Sequence, residues 1–154
     1  MIEITRIDEG DLPELLPLVR AYCDFYEVSP SDEALLALSR ALIADPEREG
    51  VQLLGRDGNA AVGFATIYWS WATTIAARIG VMNDLFVARA ARGSGAAEAL
   101  IHACVAECRR QGAVQLTWQT AQDNFRAQKV YERVGAKRAE WVDYSLEVET
   151  VRTR

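Results

Sequence analysis

Apolar residues at Ile2 and Ile4 alternate with polar ones and the alternation breaks at Ile7, which predicts a short strand over Met1–Ile7. Helical spacing follows: Leu12, Leu15, Leu16, Val19 and Tyr22, behind Asp11 as a helix cap and with Pro13 in the first turn. Ser29-Pro30-Ser31 breaks that helix. Ser31 or Asp32 caps a second one, which carries Leu35, Leu36, Leu38, Leu42 and Ile43 and ends near Asp45-Pro46. Val51–Gly55 reads as a strand, Asp57-Gly58-Asn59 as a hairpin turn, and Ala60–Trp71 as a longer, aromatic-rich strand. Arg78–Val87 is another strand. A turn of small residues leads into a helix over Ala96–Arg110, with Leu100, Ile101, Cys104, Val105 and Cys108 on one side and Gly112 just past its end. Val114–Thr120 predicts a strand. Asp123–Val134 predicts a short helix, capped by Asp123 or Asn124 and stopped by Gly135, and Trp141–Val148 a closing strand before a frayed tail at 151–154. The order β-α-α-β-β-β-α-β-α-β, with no repeat or linker, predicts one α+β domain over residues 1–154 with a βαβ crossover around Val87–Val114.

Composition narrows the function classes. At 154 residues and half apolar, the chain can bury a real core without disulfides or a structural metal. No apolar stretch approaches the roughly 20 residues needed to span a bilayer, and acidic Glu3 near the start does not suit a signal peptide. Three cysteines, an odd number, suit a reducing cytoplasm. A net charge of −5 disfavours nucleic-acid binding. His102 is the only histidine, which excludes a multi-histidine metal site. Fifteen of the 17 basic residues are arginine (all but Lys129 and Lys137), which we read as codon usage in a GC-rich bacterial genome.

The most informative segment is Asp84–Ala97. A strand ending in Leu85-Phe86-Val87 runs into a turn that opens a helix, and Arg92, Gly93, Ser94, Gly95, Ala96 and Ala97 stand at that entry. Glycines permit positive φ and close backbone approach. The free N–H groups and dipole of a helix start favour an anion such as a pyrophosphate. A Walker loop needs a lysine that is absent here. A dinucleotide fingerprint needs a small residue where Glu98 stands.

A second segment, Asn124–Ala136, adds to this. Arg92, Gly95 and Ala97 match the acyl-CoA pyrophosphate motif of the GNAT N-acetyltransferase superfamily, and Asn124, Ala127, Tyr131, Gly135 and Ala136 match its later motif. The chain thus resembles that family. The resemblance implies a bent, mostly antiparallel mixed sheet of six to seven strands flanked by about four helices, with a central βαβ unit that binds acyl-CoA. It also implies that Leu85, Phe86 and Val87 bond the pantetheine arm, that Arg92–Ala97 hold the pyrophosphate, and that Asn124 and Ala127 line the other side. Homodimers are common in that family.

The resemblance implies direct transfer from acetyl-CoA to a small-molecule primary amine in a ternary complex, without a metal. Tyr131 would protonate the departing thiolate, and Asp84 would take the proton of the amine. Asn83-Asp84-Leu85-Phe86-Val87 is similar to the Glu-Asp-Leu/Phe-Phe-Val of diamine acetyltransferases, with asparagine replacing the glutamate. Tyr22, Tyr26, Trp69 and Trp71 are further candidates for contact with a cationic substrate, Tyr22 and Tyr26 in company with Phe25, Asp24 and Glu27. Two other readings stay open: an acyl-CoA-binding sensor without turnover, and an enzyme acting on protein or peptide amino groups. Cys104 and Cys108 are expected in the core, and His102 on the polar side of its helix.

Overall fold

Side chains alternate across a strand, so a strand with successive apolar residues must be covered on both faces. Such runs occur in Val51–Leu54 and Phe64–Trp69, and the computed structural model, which describes residues 1–150, covers them from both sides. The elements run β1 (Ile2–Arg6), α1 (Leu12–Phe25), α2 (Asp32–Ala44), β2 (Gly50–Asp57), β3 (Ala60–Ala72), β4 (Ala77–Val87), α3 (Ala96–Gln111), β5 (Leu116–Thr117) and α4 (Phe125–Arg133). The sheet order is β1-β2-β3-β4-β5, antiparallel up to β4, with β5 parallel to β4.

Val51, Leu53, Ala65, Ile67 and Trp69 face α3 and meet Leu100, Ile101, Cys104 and Cys108. Leu54 and Phe64 face the other way and meet Leu12, Leu15 and Leu18 of α1. Gly80 lets α3 come close, since an added Cβ there would stand 2.7 Å from the Cys108 sulfur. Arg6 of β1 holds α3 through Glu107, which is 3% exposed: Arg6 Nη2 donates to Oε2 at 2.6 Å, and Arg110 Nη2 to Oε1 at 2.5 Å. Ser31 caps α2 by accepting from the Ala34 N–H, and Gly112 ends α3 at φ 76°.

The structure corrects several expectations. Among the described residues the sheet has five strands rather than six to seven, flanked by four α-helices. The strand expected over Val114–Thr120 pairs only at Leu116–Thr117. Trp141–Val148 forms no strand: its residues alternate as a strand would, but its backbone joins no ladder of the sheet, and alternation without backbone partners does not make a strand. Asp11 does not cap α1 with its side chain. It completes a capping box with Asp8 one turn earlier and accepts from Arg56 at 2.7 Å. The expected tail at 151–154 lies outside the described residues.

Candidate active site

Two local features open a cleft in the sheet. β4 and β5 pair only at Gly80 with Leu116 and at Val81 with Thr117, so among the described residues Met82–Val87 has no strand on that side. Trp118, the residue after β5, packs edge-on against Tyr131 of α4 with ring centroids 5.3 Å apart. The wedge of Trp118 and Tyr131 faces the bare edge of β4 across a cleft of about 370 Å³. Its lining includes Leu85, Phe86 and Val87 on one side, and Asn124, Ala127, Val130 and Tyr131 on the other.

At one end lies the start of α3. Gly93 and Gly95 both have positive φ, 85° and 87°, and an added Cβ would meet nothing within 4 Å at either, so the loop presents bare backbone. Among the described residues, the N–H groups of Gly93, Gly95, Ala97 and Glu98 have no backbone acceptor outside the helix, as expected for a helix start. The Ala96 N–H is held by the Ser94 hydroxyl at 3.4 Å, which turns Ser94 toward the loop rather than the cleft. Arg92 and Arg126 also line this end, and Arg133 closes it by pairing with Glu98 at 2.9 Å. Backbone donors, a helix dipole and arginines are the donor set that a pyrophosphate needs.

At the other end stand Tyr22, Phe25 and Tyr26 from the end of α1, and Asn83. The register between β3 and β4 shifts here: Thr66 faces Asp84 while Ile67 faces Met82, so Asn83 is the extra residue of a β-bulge. Tyr22 donates its hydroxyl proton to the Asn83 carbonyl at 3.3 Å and packs edge-on against Tyr26, Phe64 and Phe86.

Asp84 sits just behind this wall. It does not line the cleft; Tyr22 and Asn83, its neighbours, do. Burial raises its carboxyl above the usual value, and the side chains of Thr66, Asn83 and Tyr22 pull it partly back as hydrogen-bond partners. The Asn83 side-chain amide donates to Oδ1 at 3.0 Å. Burial and the nearby Asp84 charge push the Tyr22 phenol well up, and the Tyr68 phenol up to about 12. Tyr131 is raised too, chiefly by burial, against a lowering contact with Thr120. All three phenols therefore stay protonated near neutral pH.

Most of the residues expected at the cofactor line the cleft: Leu85, Phe86, Val87, Arg92, Gly93, Gly95, Ala96, Ala97, Asn124, Ala127 and Tyr131, with Ser94 the exception. Tyr22 and Tyr26 line it as well. Trp69 and Trp71 do not. Trp69 is in the core and donates its indole N–H to the Pro46 carbonyl at 2.8 Å, while Trp71 is exposed beneath the Arg78 guanidinium. Reading by sequence missed Trp118, Gln119, Thr120, Arg126 and Arg133. The helical spacing of Arg126, Val130 and Arg133 on one face of α4 with Ala127 is the signal that could have found the last group. Cys104 and Cys108 are buried and their thiols are pushed up by burial, Cys108 to about 11, as for core residues.

Comparison with known proteins gives a consistent result. The model of the acetyltransferase (GNAT) family matches residues 15–136. An uncharacterized N-acetyltransferase, YhfO, of Bacillus subtilis (strain 168) is 29% identical over 148 residues, covering 96% of this chain and 98% of that one. The crystal structure of a probable acetyltransferase superposes with a TM-score of 0.82 at 26% identity, covering 96% of this chain and 99% of the other. The fold is also shared with AAC(6')-Iy, solved in complex with the bisubstrate analogue CoA-S-monomethyl-acetylneamine, at a TM-score of 0.82, 19% identity, and coverage of 96% and 98%.

Proposed function

The chain belongs to the acetyltransferase (GNAT) family, and from that premise we propose that it moves the acetyl group of acetyl-CoA onto the primary amine of a small molecule. The observation that carries this reading is the cleft itself. A bare β4 edge runs from a helix start suited to an anion at one end to Tyr131 and Tyr22 at the other, with Asp84 behind Tyr22 and Asn83.

The pyrophosphate would rest on the N–H groups around Gly93–Ala97, with Arg92 and Arg126 beside it. The pantetheine arm would add to Met82–Val87 as a strand does, using the main-chain groups that β5 leaves unpaired. These same N–H groups would polarise the thioester carbonyl. The amine, once neutral, attacks the carbonyl carbon. The C–N bond forms, the C–S bond breaks, and the departing thiolate takes the Tyr131 phenol proton. The ammonium proton would pass to Asp84 through water, and the second nitrogen proton, lost as the amide forms, would return to the Tyr131 oxygen. Tyr22, Phe25 and Tyr26 offer ring faces to a cation, and the Asp84 charge behind them suits an ammonium ion before it is deprotonated. Asn83, in place of the glutamate of diamine acetyltransferases, leaves Asp84 as the carboxylate at this end. Three buried cysteines suit the cytoplasm.

The test is release of CoA thiol from acetyl-CoA over a panel of amines, amino acids and peptides, for the wild type and Tyr131→Phe. Turnover with small amines, cut about 100-fold in the variant with little change in KM for acetyl-CoA, is expected. Unchanged turnover in the variant would remove Tyr131 from the mechanism. Tight acyl-CoA binding without turnover would favour a sensor, and turnover with peptides alone a protein-modifying enzyme.

A further inference from the structure

The end of the cleft away from α3 carries ring surface that the cores do not use. Tyr22 packs against Phe64 and Phe86, but Phe25 is 60% exposed, Tyr26 is 48% exposed, and both stand outside the two cores. The three rings meet edge-on in a row, Tyr22 to Tyr26 and Tyr26 to Phe25, each pair with centroids 5.1 Å apart. The end of α1 fixes that row. Glu27 takes a left-handed φ of 56°, and the Val28 N–H donates to the Cys23 carbonyl at 3.1 Å, which closes the helix just after Tyr26. The row faces the reacting end: burial chiefly raises the Tyr131 phenol, and the Tyr26 phenol adds to that rise. An exposed apolar patch that lines a cavity marks a ligand site. Charge is distributed unevenly along the same cleft. Its charged lining residues, Arg92, Glu98, Arg126 and Arg133, stand at the α3 end, while Asp24 and Glu27 lie outside the lining. At the ring end the one carboxylate among the described residues is Asp84, behind Tyr22 and Asn83.

We propose that the acceptor is a primary monoamine with an aromatic body and no carboxylate, its ring on the row of Tyr22, Tyr26 and Phe25 and its single ammonium group toward Asp84. This names the substrate class of the acetyl transfer proposed above and rests on that reading. A row of ring edges and faces recognises a flat apolar body, and ring faces with one carboxylate behind them suit one cation. A diamine would bring a second ammonium group to a stretch of lining that offers it no carboxylate, and an unpaired charge leaves water at a cost. An amino acid would bring its own carboxylate toward Asp84, with the lining arginines at the far end. Selection therefore comes from charges that the ring end lacks as well as from the surface it offers. No further reactant is needed. The ammonium form of the amine and acetyl-CoA give the acetamide and CoA thiol, the C–N bond forming as the C–S bond breaks, and one proton leaves by way of Asp84.

Release of CoA thiol from acetyl-CoA with three probes tests it: 2-phenylethylamine, phenylalanine and 1,6-diaminohexane. The first should exceed each of the others by at least about tenfold in kcat/KM. Phe25→Ala should raise KM for 2-phenylethylamine about tenfold, with the larger part of the loss in KM rather than kcat. Its circular dichroism should hold, because the ring lies outside both cores. Phenylalanine or the diamine turning over as well as 2-phenylethylamine overturns the proposal and leaves the transfer reading standing. So does an unchanged KM in Phe25→Ala. If calorimetry shows acetyl-CoA bound and none of the three probes is acetylated, the transfer reading fails and the monoamine goes with it.

Discussion

Thr66 of β3 and Asp84 of β4 are register partners across the bulge at Asn83, and the Thr66 side chain is a hydrogen-bond partner of the Asp84 carboxylate. Gln52 of β2 extends the row, donating from Nε2 to Thr66 Oγ1 at 3.2 Å. With its oxygen accepting from Gln52, the Thr66 hydroxyl directs its proton to Asp84. A buried polar line thus crosses three adjacent strands on the face covered by α1.

Replacing that hydroxyl should shift the acid side of catalysis. Thr66→Val removes one of the partners that pull the Asp84 carboxyl down against burial, so its pKa rises further. The acidic limb of kcat/KM should move up by about one pH unit, the worth of one hydrogen bond to a charge. A pH–rate profile that stays in place would remove Asp84 as the base.

Asp84→Asn should separate stability from activity. Burial raises the folded-state pKa of Asp84 above its ordinary value of 3.8, so its contribution to stability is complete below that value and is lost as pH rises through the folded pKa. At pH 7 the buried charge is a net cost. The variant should therefore melt at or above the wild-type temperature at pH 7, lose that advantage toward pH 4, and turn over about 100-fold more slowly. Thermal melts at the two pH values check the sign, and a lower Tm at pH 7 would contradict it.

Glu107 has the opposite sign. Burial alone would raise its carboxyl, but the Arg6 hydrogen bonds and charge, joined by Arg110, outweigh burial and hold it below 4.5. Its stabilisation is present above that value and is lost as pH falls through the folded pKa. Glu107→Gln should cost about 2–4 kcal/mol at pH 7, with the gap to wild type narrowing in acid. Urea midpoints at pH 7 and in acid would show this, and equal midpoints at pH 7 would refute it.

Gly95→Glu tests the helix start. The position has φ 87°, which strains any other residue by about 1–2 kcal/mol, and an added carboxylate there would repel a pyrophosphate. CoA affinity, measured by calorimetry, should fall at least about tenfold. The far-UV spectrum should hold, because an added Cβ meets nothing within 4 Å. Unchanged affinity would place the pyrophosphate elsewhere.

Much of this protein is legible from local sequence because the forces involved are local. Helix periodicity, the Ser31 and Asn124 caps and the Gly112 stop depend on residues a few positions apart, and they place the helices within about two residues of where they lie. The same holds for the glycine turn before α3 and for the Asn124–Ala136 motif, which lie on opposite walls of one cleft. What tertiary structure decided depends on partners distant along the chain. Trp69 and Tyr22 look alike as aromatic candidates, but α3 covers the face of β3 that carries Trp69, while Tyr22 projects from α1 toward Asn83. The line of Gln52, Thr66 and Asp84 exists only because three strands share a register, one of them shifted by a bulge. Trp141–Val148 shows the limit most plainly. Alternation specifies which face of a strand is apolar, but a strand forms only where another chain segment meets its backbone hydrogen bonds, and that is set by the assembled sheet.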